Sequence, residues 1–288
     1  MNLDEVYRPI KKEMILVEKE IHAQTSALIS SQNSGYKEYF EQIIGYIFEI
    51  PGKLLRPALV LLSAKSVDGE EIENIDQLVK LAVAVEFVHS ASLIHDDIID
   101  GSDFRRNRLT LNKQFGNQIA VLVGDIFYSQ FFSILIDIRT ERNEQRKKLL
   151  RSFSDITKKL CFGEIQEHKI RMDREEVSFN DYLRIIEDKT ASLFFASCMS
   201  GSLLNGADDS TCSAISQYGL CLGYAFQLVD DYIDNDAIFN SSKKMLDSAN
   251  EYADKAKNVI VSLPESDAKK TLLRLPDLII SRTGLRGH

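Results

Sequence analysis

Residues 86–100 read EFVHSASLIHDDIID. Asp96, Asp97 and Asp100 stand at i, i+1 and i+4 at the end of a long apolar run. On a helix, i and i+4 lie one above the other, so Asp96 and Asp100 share a face about one turn apart. Two converging carboxylates cannot neutralise each other and call for a multivalent cation. Oxygen-only ligation suits a hard ion such as Mg²⁺, which keeps waters and completes its shell with substrate phosphate. The pattern recurs in residues 219–234, GLCLGYAFQLVDDYID, where Asp230, Asp231 and Asp234 repeat the spacing. A lone acidic triplet is more often a solvated helix end. Two triplets, each preceded by an apolar helical run, describe a greasy cavity with charge at its mouth.

The rest of the chain reads as helix. Prolines stand at 9, 51, 57, 264 and 276, so the span from 58 to 263 has none to interrupt a helix. No alternating β-branched run bounded by turns suggests a strand. The expectation is an all-α fold, with residues 1–288 in one bundle and no linker, repeat or low-complexity segment to divide it. A net charge of −8 disfavours a phosphate-backbone partner, so nucleic acid is not expected. Cys161, Cys198, Cys212 and Cys221 form no CxxC and read as core thiols in a reducing compartment. Charge interrupts the apolar stretches before a membrane span is reached, and Lys11, Lys12 and Glu13 leave no signal-peptide core. A cytoplasmic protein is expected.

In chain order, residues 3–30 alternate charge and aliphatics at helical spacing and predict a packing or dimer helix. A turn over 30–35 leads to a helix over 36–48. PGKLLRP at 51–57 is a loop, and Pro57 is placed to open the next helix at its first position. Lys53 and Arg56 beside that helix start either form an anion pocket or are simply solvated. Apolar helices come next over 58–65 and 77–94. His89, seven residues before Asp96, is either a satisfied core residue or a substrate contact. Arg105 and Arg106 are either salt-bridge partners of the acids or forks for phosphate oxygens. Residues 116–132 form another apolar helix, and 137–159 form an outer one. Gly163–Gln166 and Lys189–Thr190 are polar points on core-like stretches, and Gln227 shares a helix face with Asp230.

Together these stretches resemble the all-trans (E-type) polyprenyl diphosphate synthases, the head-to-tail isoprenyl transferases. The matches are GKLLRP at 52–57, EFVHSASLIHDDIID at 86–100, the arginine pair 105–106, GD at 124–125, GEIQ at 163–166, KT at 189–190 and FQLVDDYID at 226–234. They come in the family's order and cover most of the chain. The resemblance implies the isoprenoid synthase fold, long helices around a deep central cavity, in a homodimer. It implies that an allylic diphosphate ionises and that isopentenyl diphosphate attacks the carbocation. A proton is then lost to the departing diphosphate, so no protein base is named. It also implies Mg²⁺, about three ions per site, with Mn²⁺ as a substitute.

By the same resemblance Asp96, Asp100, Asp230 and Asp234 are metal-site residues, with Asp97 and Asp231 in support. Arg105, Lys189, Thr190 and Gln227 match positions that hold the allylic substrate. Lys53, Arg56, His89 and Arg106 match the isopentenyl diphosphate pocket. Product length is argued from the turns before Asp96. Ala91 and Ser92 are small where short-chain enzymes tend to carry an aromatic, and Val88 is modest one turn further. A helical turn of about 5.4 Å passes roughly one isoprene unit, so a product longer than C15, about C25–C45, is expected. Phe131 and Phe132 are candidates for a floor, or else only core. Two departures stand out. Asn107 and Leu109 replace the usual Gly and Pro after the arginine pair, and the chain near 235–242 is shorter than the family pattern, without its lysine-bearing loop. The alternatives are a geranylgeranyl or farnesyl diphosphate synthase, a terpene cyclase, and a non-catalytic subunit of a two-component synthase. The last two fit poorly with a repeated aspartate triplet.

Overall fold

The 25-residue helix α5, Ile75–Ile99, contains neither proline nor glycine. Every residue from Leu81 to Val88 is buried. A helix apolar on all sides must be surrounded, and here it is. It packs against α4 (Leu55–Asp68), α7 (Asn117–Asp137), α2 (Lys11–Ser30) and α10 (Ser192–Leu204). The computed structural model describes residues 3–31, 35–49, 52–68, 72, 74–140, 143–174, 176–234 and 238–285.

The remaining elements close the bundle. Short α1 (Leu3–Tyr7) and a 3-10 turn precede α2, and α3 (Lys37–Phe48) succeeds it. Helix α6 (Leu111–Phe115) precedes α7, then come α8 (Asn143–Asp173) and α9 (Phe179–Ile186). Helix α11 (Asp209–Asp234) packs on α10 and on α12 (Ser242–Val259), and α13 (Asp267–Ile280) closes against α4 and α11. The 3-10 turn Ser281–Leu285 continues from α13 onto α11.

The fold is all-α, as expected, with local differences. The helix expected over 3–30 breaks at Arg8–Ile10, where Pro9 forces a 3-10 turn. Pro57 is the third residue of α4, which begins at Leu55; it still lies in the first turn, where its missing N–H costs no helix bond. The outer helix continues through GEIQ as far as Asp173. A two-residue antiparallel ribbon, β1 (Phe104–Arg105) with β2 (Arg108–Leu109), was not expected. Its turn residues Arg106 and Asn107 have φ of 53° and 60°, the left-handed pair that a two-residue hairpin demands. Asparagine tolerates that region, which explains how it stands where the family has glycine.

Two helices, α5 and α7, are long and apolar enough to cross a membrane by length and composition, with mean hydropathies of 1.4 and 1.9. This corrects the expectation that charge interrupts every apolar stretch. In α5, 67% of the most apolar window is buried inside the bundle, as befits a core helix.

Candidate active site

At the end of α5, Asp97 is buried and Asp96 half-buried, while Asp100 caps the helix in the open. The hairpin folds back so that Arg105 grips Asp97, its Nε 2.8 and 3.0 Å from the two carboxylate oxygens. Among the described residues, no arginine clamps Asp96 in this way. Burial and the neighbouring Glu164 push its pKa up, while Lys189 and Arg105 pull it back. Carboxylates that raise one another's pKa are short of positive charge.

Lys189 and Thr190 enter through a π turn, Glu187–Ala191, between α9 and α10. Such turns insert one residue into a helix and re-aim the side chains beyond it. Glycines make room for it on two sides. A Cβ at Gly163 on α8 would lie 2.9 Å from the Lys189 backbone nitrogen, and one at Gly223 on α11 would lie 2.6 Å from Ala191 Cα. GEIQ therefore contributes close packing through its glycine and charge through Glu164. Lys189 Nζ sits 2.7 Å from Glu164 and 2.6 Å from Glu167. Burial alone would lower its pKa, but the two glutamates outweigh that and raise it.

On α11, Gln227 links the π turn to the second triplet. Thr190 Oγ1 donates to Gln227 Oε1 at 2.8 Å, and Gln227 Nε2 donates to Asp231 Oδ1 at 2.7 Å. Tyr182 from α9 donates a hydrogen bond to the other Asp231 oxygen. Burial nevertheless raises the Asp231 pKa to about 6. Asp230 pairs with Arg282, Nη2 lying 2.6 Å from Oδ1, and Asp234 is exposed at the helix end.

The basic residues gather between the triplets. Arg56 is 2.9 Å from His89 Nε2, and its guanidinium lies 4.8 Å over Phe194. Burial lowers the Arg56 pKa to about 10, against the pull of Glu86 and Asp230. Burial, with Arg56, Arg105 and Arg106, holds the His89 pKa well below its ordinary value, so the imidazole is neutral at pH 7. Arg106 and Glu86 both approach Gly52, where a Cβ would meet them at 3.1 and 3.3 Å. Lys53 is exposed in the adjoining loop, which is bent by Leu54 at φ 46°, and acts on Asp230. Lys189 and Glu167 thus stand in electrostatic reach of both Asp96 and Asp231, while Arg105, the neutral His89 and Arg56 stand between Asp97 and Asp230.

A cavity of about 390 Å³ opens beside Asp96, lined by Ser92, His95, Tyr128, Leu160, Cys161 and Ile165 among others. A larger one, about 750 Å³, lies on the opposite face of α5 under α2 and α3 and reaches the back of the arginine cluster. The smaller cavity adjoins the unclamped carboxylate and is the one placed for an apolar chain. Of the chain-length candidates, Ser92 lines it. Val88 and Ala91 are buried in packed faces of α5, and Phe131 is buried against Phe153. The reason is rotational: a residue four before Asp96 is about 40° away around the helix, whereas five before is about 140° away. Tyr128, missed in the sequence, forms the wall opposite, and Phe132 lies one turn beyond it on α7. Glu86, Glu167, Tyr182 and Arg282 were also missed, and Glu164 was noted only as part of the GEIQ stretch. Of these, Glu86, a charge inside an otherwise apolar run, is the one the sequence flags.

Among the described residues, no three His, Cys, Asp or Glu side chains converge as a closed metal cage. The donors around Asp96 are carboxylate oxygens, and Cys161 nearby has its thiol pKa raised by burial and by these acids. That donor chemistry fits a hard divalent cation and not a thiophilic one.

A family model for polyprenyl synthetase matches residues 37–257. An octaprenyl diphosphate synthase of Haemophilus influenzae is 35% identical over 237 residues, 82% of this chain and 66% of its own length. A geranylgeranyl diphosphate synthase of Methanosarcina mazei is 36% identical over 192 residues, 66% of this chain and 56% of its own. This chain thus spans somewhat less than two thirds of these curated relatives. A crystal structure of a polyprenyl synthase from Caulobacter crescentus, complexed with calcium and isoprenyl diphosphate, superposes with a TM-score of 0.82 at 26% identity, covering 98% of each chain. The acidic triplets, the π-turn lysine and the arginine–histidine cluster all lie inside the matched span, and the chain belongs to the polyprenyl synthetase family.

Proposed function

We propose that the protein is a trans-polyprenyl diphosphate synthase that condenses isopentenyl diphosphate with an allylic diphosphate. The observation that carries this reading is the pair of carboxylate triplets joined through Lys189 and the Arg56–His89 cluster, beside an apolar cavity at Asp96. Heterolysis of the allylic C–O bond separates charge, and groups fixed where that charge develops lower the barrier. When bound, Mg²⁺ (or Mn²⁺) supplies electrophilic stabilisation of the leaving diphosphate. Asp96, Asp100, Asp230 and Asp234 would hold it, with Asp97 and Asp231 kept in position by Arg105, Tyr182 and Gln227.

Lys189, Arg105, Thr190 and Gln227 orient the allylic diphosphate. Lys53, Arg56, His89 and Arg106 hold isopentenyl diphosphate, and Glu86 keeps those cations spaced. The isopentenyl double bond forms the new C–C bond with the cation, and the proton is lost to the diphosphate product. The apolar wall at Ser92, Tyr128 and Leu160 shields the cation and the growing chain from water. Octaprenyl, solanesyl and decaprenyl synthases among the relatives, and the small Ser92 at the cavity, support a product longer than C15.

Residues 1–288 act as one catalytic domain, shortened near 235–242 relative to the family; positions 235–237 lie outside the described residues. Val121, Leu122, Phe162 and Ile165 expose large apolar surface on α7 and α8, which supports a homodimer closing over that face. Cys198, Cys212 and Cys221 are core thiols as expected, but Cys161 is exposed, and a free thiol there supports a reducing, cytoplasmic setting. The test is to incubate the protein with Mg²⁺, labelled isopentenyl diphosphate and allylic primers of increasing length, then size the products. Prenyl diphosphates beyond C15 are expected, and no incorporation with any primer would overturn the reading.

A further inference from the structure

Arg282 reaches Asp230 from the 3-10 turn that comes after α13, and its guanidinium lies 5.4 Å from the centre of the Phe226 ring. Both partners are largely shielded, with side-chain exposures of 20% and 24%. The contact is an ion pair at 2.6 Å, yet Asp230 Oδ1 accepts no well-aligned hydrogen bond although it is buried. The fork is therefore held against the acid by charge and by the ring beneath it, without the bidentate geometry that makes such pairs strong. The first triplet differs, because its arginine, Arg105, is bound squarely to Asp97 and leaves Asp96 unclamped.

A carboxylate whose Oδ1 lies 2.6 Å from a guanidinium is a weaker ligand for a divalent cation, because its charge is partly offset and the two cations repel across it. We infer that Arg282 is a latch on the second triplet: it neutralises Asp230 in the metal-free protein and transfers to diphosphate oxygens when metal and diphosphate arrive together. Its five donors and planar fork match phosphate oxygens as well as carboxylate. The π face of Phe226 offers a pivot on which the guanidinium can turn without losing its support. The latch makes binding ordered, since metal alone is opposed at this triplet and metal with diphosphate is welcomed. This rests on the function proposed above and adds to it a diphosphate-contacting residue 52 positions away from Asp230.

The test compares wild type, Arg282→Gln and Arg282→Lys by calorimetric titration with Mg²⁺ alone, and with inorganic pyrophosphate at saturating Mg²⁺. Arg282→Gln should bind Mg²⁺ alone about tenfold more tightly, because the competing charge is gone. The same variant should bind pyrophosphate about tenfold more weakly, because a charge-assisted contact is lost. Arg282→Lys, which keeps the charge without the fork, should restore the opposition to Mg²⁺ alone and only part of the pyrophosphate affinity. Equal affinities in all three proteins would overturn the latch, as would a parallel loss for both ligands, the mark of a folding defect. Failure of wild type to bind pyrophosphate with Mg²⁺ would overturn the functional reading and the latch with it.

Discussion

The two aspartate triplets have the same spacing and opposite surroundings. On α5, Arg105 is spent on Asp97, and Asp96 faces Glu164 with no cation of its own beyond the shared Lys189. On α11, Asp231 is held by neutral donors, Tyr182 and Gln227, and Asp230 already has Arg282. One turn before the first triplet stands Ser92, at the edge of an apolar cavity; one turn before the second stands Phe226, under a guanidinium. The same motif therefore yields one end whose Asp96 is unpaired among the described residues, beside an apolar cavity, and another whose Asp230 is paired with a guanidinium set against an aromatic ring.

Substitutions can break that contrast. The largest effect is expected at Asp96. Asp96→Ala should lower kcat/KM by about 10³-fold, the scale for losing a group that stabilises developing charge. Its thermal midpoint should hold or rise, because repulsion with Glu164 is relieved. Loss of activity together with the fold would mean that Asp96 is structural. Ser92→Phe should shorten the products sized in the primer assay, whereas Phe226→Leu should leave their length alone. Shortening by both would dissolve the distinction between the ends.

A smaller effect of reversed sign is expected at the second triplet. Asp230→Asn strands Arg282 in a shielded place and should lower stability by about 1–2 kcal/mol in a denaturant titration, discounted for its partial exposure. A variant as stable as wild type would show that the ion pair contributes little. His89, seven residues before Asp96, has its counterpart in Gly223 on α11, so pH should separate the helices too. The fold keeps His89 neutral and depresses its pKa, so the unfolded chain binds the extra proton below about pH 6.5. Stability from this residue is therefore present above that pH and lost as pH falls below it. The loss is about 1.4 kcal/mol by pH 5.5 for one proton. His89→Asn should flatten this part of the stability–pH curve, and an unchanged slope would reassign it. Least of all, Tyr182→Phe removes one of two donors to Asp231 and should cost about 1 kcal/mol.

Much of this was legible in the sequence where a local period carried it. The triplets, the apolar helices before them, the 52–57 loop and the face that Gln227 shares with Asp230 arise from 3.6-residue spacing and turn chemistry. What escaped has no period. A strand of two residues cannot alternate, so the 104–109 hairpin that delivers Arg105 to Asp97 was invisible. Glu86 was passed over because its cationic neighbours, Arg56 and Arg106, come from other elements. Tyr128 and Phe131 stand three apart on one helix, and which of them meets the cavity depends on how α7 is rolled against α5. Arg282 lies far along the chain from the acid it meets.

The π turn at Glu187–Ala191 amounts to a single surplus residue in an otherwise regular rod, and each residue turns a helix by about 100°. Excising that one residue would heal the rod, tighten its ladder and swing Lys189 off the acids, giving a sturdier molecule with no chemistry. The surplus residue that carries Lys189 to the acids is thus also the place where the hydrogen-bond ladder of the rod is loosest.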